Sequence, residues 1–85
     1  MSNAAKRFEG MRANPSDDWR IEDVSAVCNA NGIACVAPRR GDHFKVSHPS
    51  QAEILTIPAH RPIRPVYIRK LIAFIERVWE QTDDG

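Results

Sequence analysis

Cysteine is scarce in this sequence, and long apolar runs are absent from it. The two cysteines, Cys28 and Cys35, are too few for a disulfide framework, and neither a CxxC nor an HxxxH spacing completes a metal site. We interpret both as small apolar core residues that stay reduced. No stretch approaches the roughly 20 apolar residues of a membrane-spanning helix, and the N-terminus lacks the apolar segment of a secretory signal. We therefore expect one cytoplasmic domain in these 85 residues, with no membrane association, cofactor or metal.

A large excess of charge of one sign is also missing, because the formal net charge is only +1. The charge is nevertheless unevenly distributed along the chain. Residues 39–70 hold seven Lys or Arg against two Asp or Glu, a local charge of +5, and the rest of the chain carries −4. A basic segment is typical of proteins that bind a polyanion, although an ordinary solvated surface gives the same pattern.

The N-terminal part of the chain divides into a tail and a helix. Residues 1–17 have no sustained apolar period, so we predict a flexible tail there, with a partner-binding arm as the open alternative. A helix follows, for which Asp17 or Asp18 is a suitable N-cap. The pair Asn31-Gly32 supplies its left-handed stop.

The middle and the end of the chain predict three strands and a second helix. Runs of small, β-branched or alternating residues predict strands at 33–37, 43–48 and 53–57. Pro65 fits the first position of a helix. A strong apolar stripe continues from it through Ile68, Leu71, Ile72, Ile75, Val78 and Trp79. The expected fold is α+β in the order α-β-β-β-α, a three-stranded antiparallel sheet with two helices on one face. It occupies residues 18–81, and 82–85 form a disordered end.

Side-chain alternation in the second strand assigns its residues to two faces. Phe44 and Val46 share one face, and His43 and Lys45 share the other. If the helices cover the apolar face, His43 and Lys45 stand together on the open one. His48 has the parity of Phe44, so we expect it to pack or to cap the hairpin.

Several short motifs occur in a distinctive order. They are Arg40-Gly41-Asp42-His43, His48-Pro49, Leu55-Thr56-Ile57-Pro58-Ala59-His60, and Ile63-Arg64-Pro65 leading into Ile68-Arg69-Lys70-Leu71-Ile72. In this order, over residues 19–76, they resemble the HicA family, small toxins of bacterial toxin–antitoxin pairs. The resemblance implies a fold like a double-stranded-RNA-binding domain, an mRNA interferase activity and a HicB-type antitoxin as partner.

The resemblance also matches individual residues to motif positions of the family. His43 matches the catalytic histidine of the family, Gly41 the turn glycine before it, and His60 the histidine of its Pro-x-His motif. The chain departs from the family in two places. Asp42 stands where the family usually has serine, where a carboxylate can orient or charge His43 but also repels phosphate. The segment 1–17 is longer than the N-terminus of typical members.

Cleavage of RNA without a metal needs proton transfer and compensation of charge on the phosphate. Histidine titrates near neutral pH, so His43 can serve as base or acid. Lys45, on the same face, can neutralise the scissile phosphate, and Arg40 and Arg61 can hold flanking phosphates, with Gly41 and His60 as further RNA contacts. Two alternatives stay open. One is a non-catalytic RNA- or protein-binding module of the same fold, and the other is a regulatory subunit that acts through its N-terminal arm.

Overall fold

The computed structural model describes residues 3–82, which form three helices and one sheet. The elements in chain order are α1 (Asn3–Ala13), α2 (Ile21–Ala30), β1 (Ala34–Val36), β2 (His43–Ser47), β3 (Leu55–Pro58) and α3 (Pro65–Thr82). The strands form an antiparallel sheet in the order β1-β2-β3, so β2 is central. The predicted α+β class and three-stranded antiparallel sheet are confirmed, but the chain has one helix more than expected.

The two faces of the sheet differ as side-chain alternation predicts. Val46 and Ile57 are fully buried in one cluster with residues of α2 and α3, so these helices pack on that face. His43 and Lys45 are exposed on the opposite face. The strands at the sheet edges are shorter or shifted relative to the prediction, because β1 covers only Ala34–Val36 and β3 begins at Leu55.

The expected flexible tail is wrong for residues 3–13, which form helix α1 and pack against α2 and α3. Phe8 and Met11 are buried in the core, and the Phe8 ring lies 4.9 Å from the ring of Trp79. Arg7 donates to the Asp23 carboxylate at 2.8 Å. One pair of apolar residues is too short a pattern to predict a helix from the sequence. Helix α1 is stabilised by its tertiary packing.

Helix α2 begins later than predicted. Its N-cap is Arg20, not Asp17 or Asp18, and the backbone N–H of Arg20 donates to the Asp23 carboxylate at 2.9 Å. From the third position of the helix, the Asp23 carboxylate therefore accepts a hydrogen bond from the backbone N–H of the N-cap residue, as in a capping box. The stop after α2 is confirmed, because Gly32 adopts a φ of +67°.

Helix α3 begins at Pro65 as predicted and contributes more buried core residues than any other helix or strand. Its stripe residues from Ile68 to Val78 are buried, whereas Trp79 is 41% exposed and donates its indole N–H to Asn31 at 2.8 Å. Of the predicted disordered end, Thr82 belongs to α3, and 83–85 lie outside the described residues. Within residues 3–82, no helix is both long and apolar enough to cross a bilayer.

Candidate active site

The β2–β3 pairing brings two distant segments side by side at one end of the sheet. His43 lies opposite Pro58, and the ladder continues one residue further, where the Ala59 N–H donates to the Asp42 carbonyl at 2.7 Å. Gly41 precedes this pair with a φ of +80°, a left-handed conformation that glycine adopts without a steric penalty. The backbone alone therefore places Asp42 and His43 beside His60.

The carboxylate of Asp42 bridges the two histidines. Its Oδ1 lies 3.1 Å from Nδ1 of His43, and its Oδ2 lies 3.0 Å from Nε2 of His60. A carboxylate can only accept a hydrogen bond, so Asp42 favours the tautomer of each histidine that carries its proton on the nitrogen nearer to the carboxylate. Nε2 of His43 and Nδ1 of His60 are then left for a substrate. The side chains of His43 and His60 are 62% and 66% exposed, so a large ligand can reach both rings.

A small cleft opens beside the two histidines. It has a volume of about 210 Å³ and is lined by His43, Pro58, His60, Arg64 and Tyr67. Arg64 adds an exposed positive charge just before α3, and half-buried Tyr67 adds an aromatic ring from its first turn. Lys70 lies next to this ring, with its Nζ 5.8 Å from the ring centroid. The cleft thus combines two imidazoles, a guanidinium and an aromatic wall.

The open face of the sheet extends the site along β2. Lys45 is exposed, lies two residues after His43 and pairs with Thr56 on β3 and Val36 on β1. Because residues two apart in a strand share a face, the ammonium of Lys45 and the ring of His43 project from the same surface. Val36 is 57% exposed on this face, which no helix covers within residues 3–82.

The remaining residues predicted to contact RNA are all exposed, but one of them already has an ion-pair partner. Arg40 and Gly41 are exposed in the turn before β2. Arg61 is exposed as well, but its guanidinium lies 3.3 Å from the Asp18 carboxylate. An exposed ion pair of this kind is weak, so it competes only slightly with a phosphate for Arg61.

Two residues of the cleft, Arg64 and Tyr67, were missed in the sequence analysis. The signal for them was present, because both flank Pro65 at the start of a predicted helix that follows the Pro-x-His motif. His48 lies outside the site. Its Nδ1 accepts from the Ser50 N–H at 3.0 Å and lies 2.8 Å from Ser50 Oγ, so it caps the β2–β3 turn as expected.

The cysteines lie away from this site and form a pair between α2 and β1. Neither thiol is in a disulfide; Cys28 is buried and Cys35 is partly exposed. The thiol of Cys28 hydrogen-bonds to Cys35, and this bond together with burial raises the pKa of Cys28. The same hydrogen bond lowers the pKa of Cys35 to about 7, against the opposing effect of burial. Among residues 3–82, no three His, Cys, Asp or Glu side chains converge as metal ligands would.

Comparison with known proteins adds nothing to this geometry: no protein-family model, curated protein or solved structure matches the chain. The resemblance to the HicA family therefore stays a prediction from the sequence motifs.

Proposed function

We propose that this protein is an RNA endonuclease of the HicA kind, the toxin of a type II toxin–antitoxin pair that cleaves mRNA without a metal. The observation that carries the proposal is His43, an exposed imidazole oriented by Asp42 at the edge of a cleft and on the same open face as Lys45. The arrangement from α2 to α3, a helix, three antiparallel strands and a helix, supports kinship with double-stranded-RNA-binding domains.

The proposed chemistry uses the 2′-hydroxyl of RNA as the nucleophile. The imidazole of His43 exchanges a proton with the ribose–phosphate, and the ammonium of Lys45 offsets the charge that develops on the phosphate. DNA lacks the 2′-hydroxyl, so the same site would not cleave it. Arg40 and Arg64, both exposed near this end of the sheet, supply contacts to neighbouring phosphates.

A protein partner is part of this proposal. The open face exposes Val36, at 57%, beside the basic residues of the middle segment. A HicB-type antitoxin that covers the face would bury this apolar side chain and block the histidines from RNA. The antitoxin surface that faces the basic residues would be acidic.

A second candidate is a non-catalytic module that binds RNA or protein through the same face. The observation that favours it is the Asp42 carboxylate, a negative charge between the two imidazoles that opposes the approach of a phosphate. Binding through Lys45 and the arginines would survive this repulsion, because those cations lie outside the bridge.

The test compares purified wild type, His43→Gln and His48→Gln on an end-labelled single-stranded RNA of mixed sequence, with EDTA present. His48 serves as the matched histidine control because it caps a turn away from the cleft. Loss of a general acid or base costs about 10²–10⁴-fold, so we expect His43→Gln to lose at least 100-fold and His48→Gln only a few-fold. A 2′-deoxy substitution at the cleaved position should abolish cleavage.

Three outcomes would contradict nuclease action by His43. Equal rates for wild type and His43→Gln would remove its role, and cleavage of the 2′-deoxy substrate would remove the mechanism. Tight RNA binding by wild type without cleavage would favour the binding module. In cells, expression of wild type should arrest growth, and the His43→Gln variant should not.

A further inference from the structure

We infer that His60 is a second catalytic residue, and that Asp42 positions it against His43 so that the two imidazoles divide the proton transfers of RNA cleavage. The inference rests on the proposed function and deepens it. Its basis is one carboxylate within 3.1 Å and 3.0 Å of the two rings, which both line the same cleft.

The bridge has little value as a stabilising contact. His43 and His60 are both more than 60% exposed, and ion pairs this exposed contribute little to stability. The backbone ladder between Asp42 and Ala59 already holds the two segments together without it. Asp42 contacts one nitrogen of each ring, and the other nitrogen of each ring is left for the substrate.

The charge of the bridge favours an unequal pair. One carboxylate compensates one imidazolium, and a second imidazolium would add an unbalanced positive charge to a surface that already carries Lys45 and Arg64. The single carboxylate therefore balances a pair in which one imidazole is protonated and the other is neutral. This is the state in which one ring can donate a proton and the other accept one.

The step balances without any co-reactant. The neutral imidazole takes the proton of the 2′-hydroxyl as the 2′-oxygen forms its bond to phosphorus. The bond from phosphorus to the 5′-oxygen breaks, and the imidazolium gives its proton to that oxygen. The products are a 2′,3′-cyclic phosphate and a free 5′-hydroxyl. The two rings have then exchanged protonation states, and proton exchange with water resets them.

The experiment separates the acid from the base with two RNA substrates. One has a normal scissile phosphodiester, and the other has sulfur in place of the 5′-oxygen, a leaving group that needs no protonation. We expect His43→Ala and His60→Ala each to lose at least about 100-fold in kcat on the normal substrate. On the sulfur substrate, the variant that lacks the acid should recover to within about tenfold of wild type, and the variant that lacks the base should not.

Asp42→Asn tests the positioning role. The amide cannot compensate an imidazolium, so kcat should fall while KM for RNA does not rise and the fold is retained; loss of a merely structural contact would lower the melting temperature and leave kcat unchanged. The control is His48→Ala, which should leave both kcat and KM unchanged.

The outcomes distinguish this inference from the proposed function. If His60→Ala cleaves the normal substrate like wild type while His43→Ala does not, His60 is no catalytic residue and the nuclease proposal survives. The same holds if both variants are impaired and neither recovers on the sulfur substrate. If His43→Ala also cleaves like wild type, the proposed function fails with it. Each variant must melt at a temperature close to that of wild type for its rate to be interpreted. We expect this because both histidine rings are exposed.

Discussion

Replacement of Met11 by alanine tests whether helix α1 is part of the folded domain. Met11 is fully buried, in a core shared by α1, α2 and α3. Truncation of a buried methionine to alanine costs about 2–5 kcal/mol, because apolar contacts are lost and a cavity remains. A small domain has only about 5–15 kcal/mol of stability, so the loss is a large fraction of the total. The neighbouring Glu9 is exposed, and Glu9→Ala should change the stability by about 0.5 kcal/mol or less.

The assay is urea unfolding followed by tryptophan fluorescence, which suits this helix because both tryptophans touch it. Trp79 packs on Phe8, and Trp19 lies against Gly10. With a slope of about 1–3 kcal/mol per molar urea, Met11→Ala should lower the midpoint by about 1 M or more. If Met11→Ala and Glu9→Ala unfold at the same midpoint as wild type, α1 is not docked, and the sequence-based expectation of a flexible tail was correct.

Three further predictions concern close packing, backbone conformation and thiol chemistry. Gly10→Ala should destabilise the fold by about 1–3 kcal/mol in thermal unfolding despite the better helix propensity of alanine, because its Cβ would lie 2.8 Å from the Trp19 ring; in a Trp19→Leu background the penalty should vanish. Gly41→Ala should cost about 1–2 kcal/mol in chemical unfolding, since φ is +80° there, and Gly41→Asn should cost less; equal losses would contradict the argument. Alkylation of Cys35 by iodoacetamide, monitored by mass, should rise with pH with a midpoint near 7, because the pKa of this thiol is lowered to about 7 by the hydrogen bond from Cys28. Cys28→Ala should raise the midpoint towards 9, and an unchanged midpoint would exclude that cause.

The Cys35 pKa also has a consequence for stability. A pKa lower in the folded than in the unfolded chain means that the unfolded chain binds more protons between about pH 7 and 9. The contribution of Cys35 is therefore fully present above its ordinary value of 9.0 and is lost as the pH falls through about 7. The raised pKa of Cys28 acts in the opposite direction at higher pH, because the folded chain then retains a proton that the unfolded chain releases.

The sequence by itself determined the features that depend on local backbone preference and on side-chain periodicity. Pro65 and the apolar stripe after it specify the start and the buried face of α3. Gly32 specifies the stop of α2, because few residues other than glycine adopt a positive φ at low cost. Alternation in β2 assigned His43 and Lys45 to the open face, since neighbouring strand residues point to opposite sides.

Only the tertiary structure decided the rest, because it depends on residues that are far apart in the chain. Helix α1 is stabilised because Phe8 and Met11 pack in one core with residues of α2 and α3. No pattern within residues 1–17 reveals this packing. His60 comes within 3.0 Å of the Asp42 carboxylate through the β2–β3 register, which places Ala59 opposite Asp42. The alternation of side chains is a local property, but the register between strands and the fit of a helix on a core are free-energy balances of the whole domain.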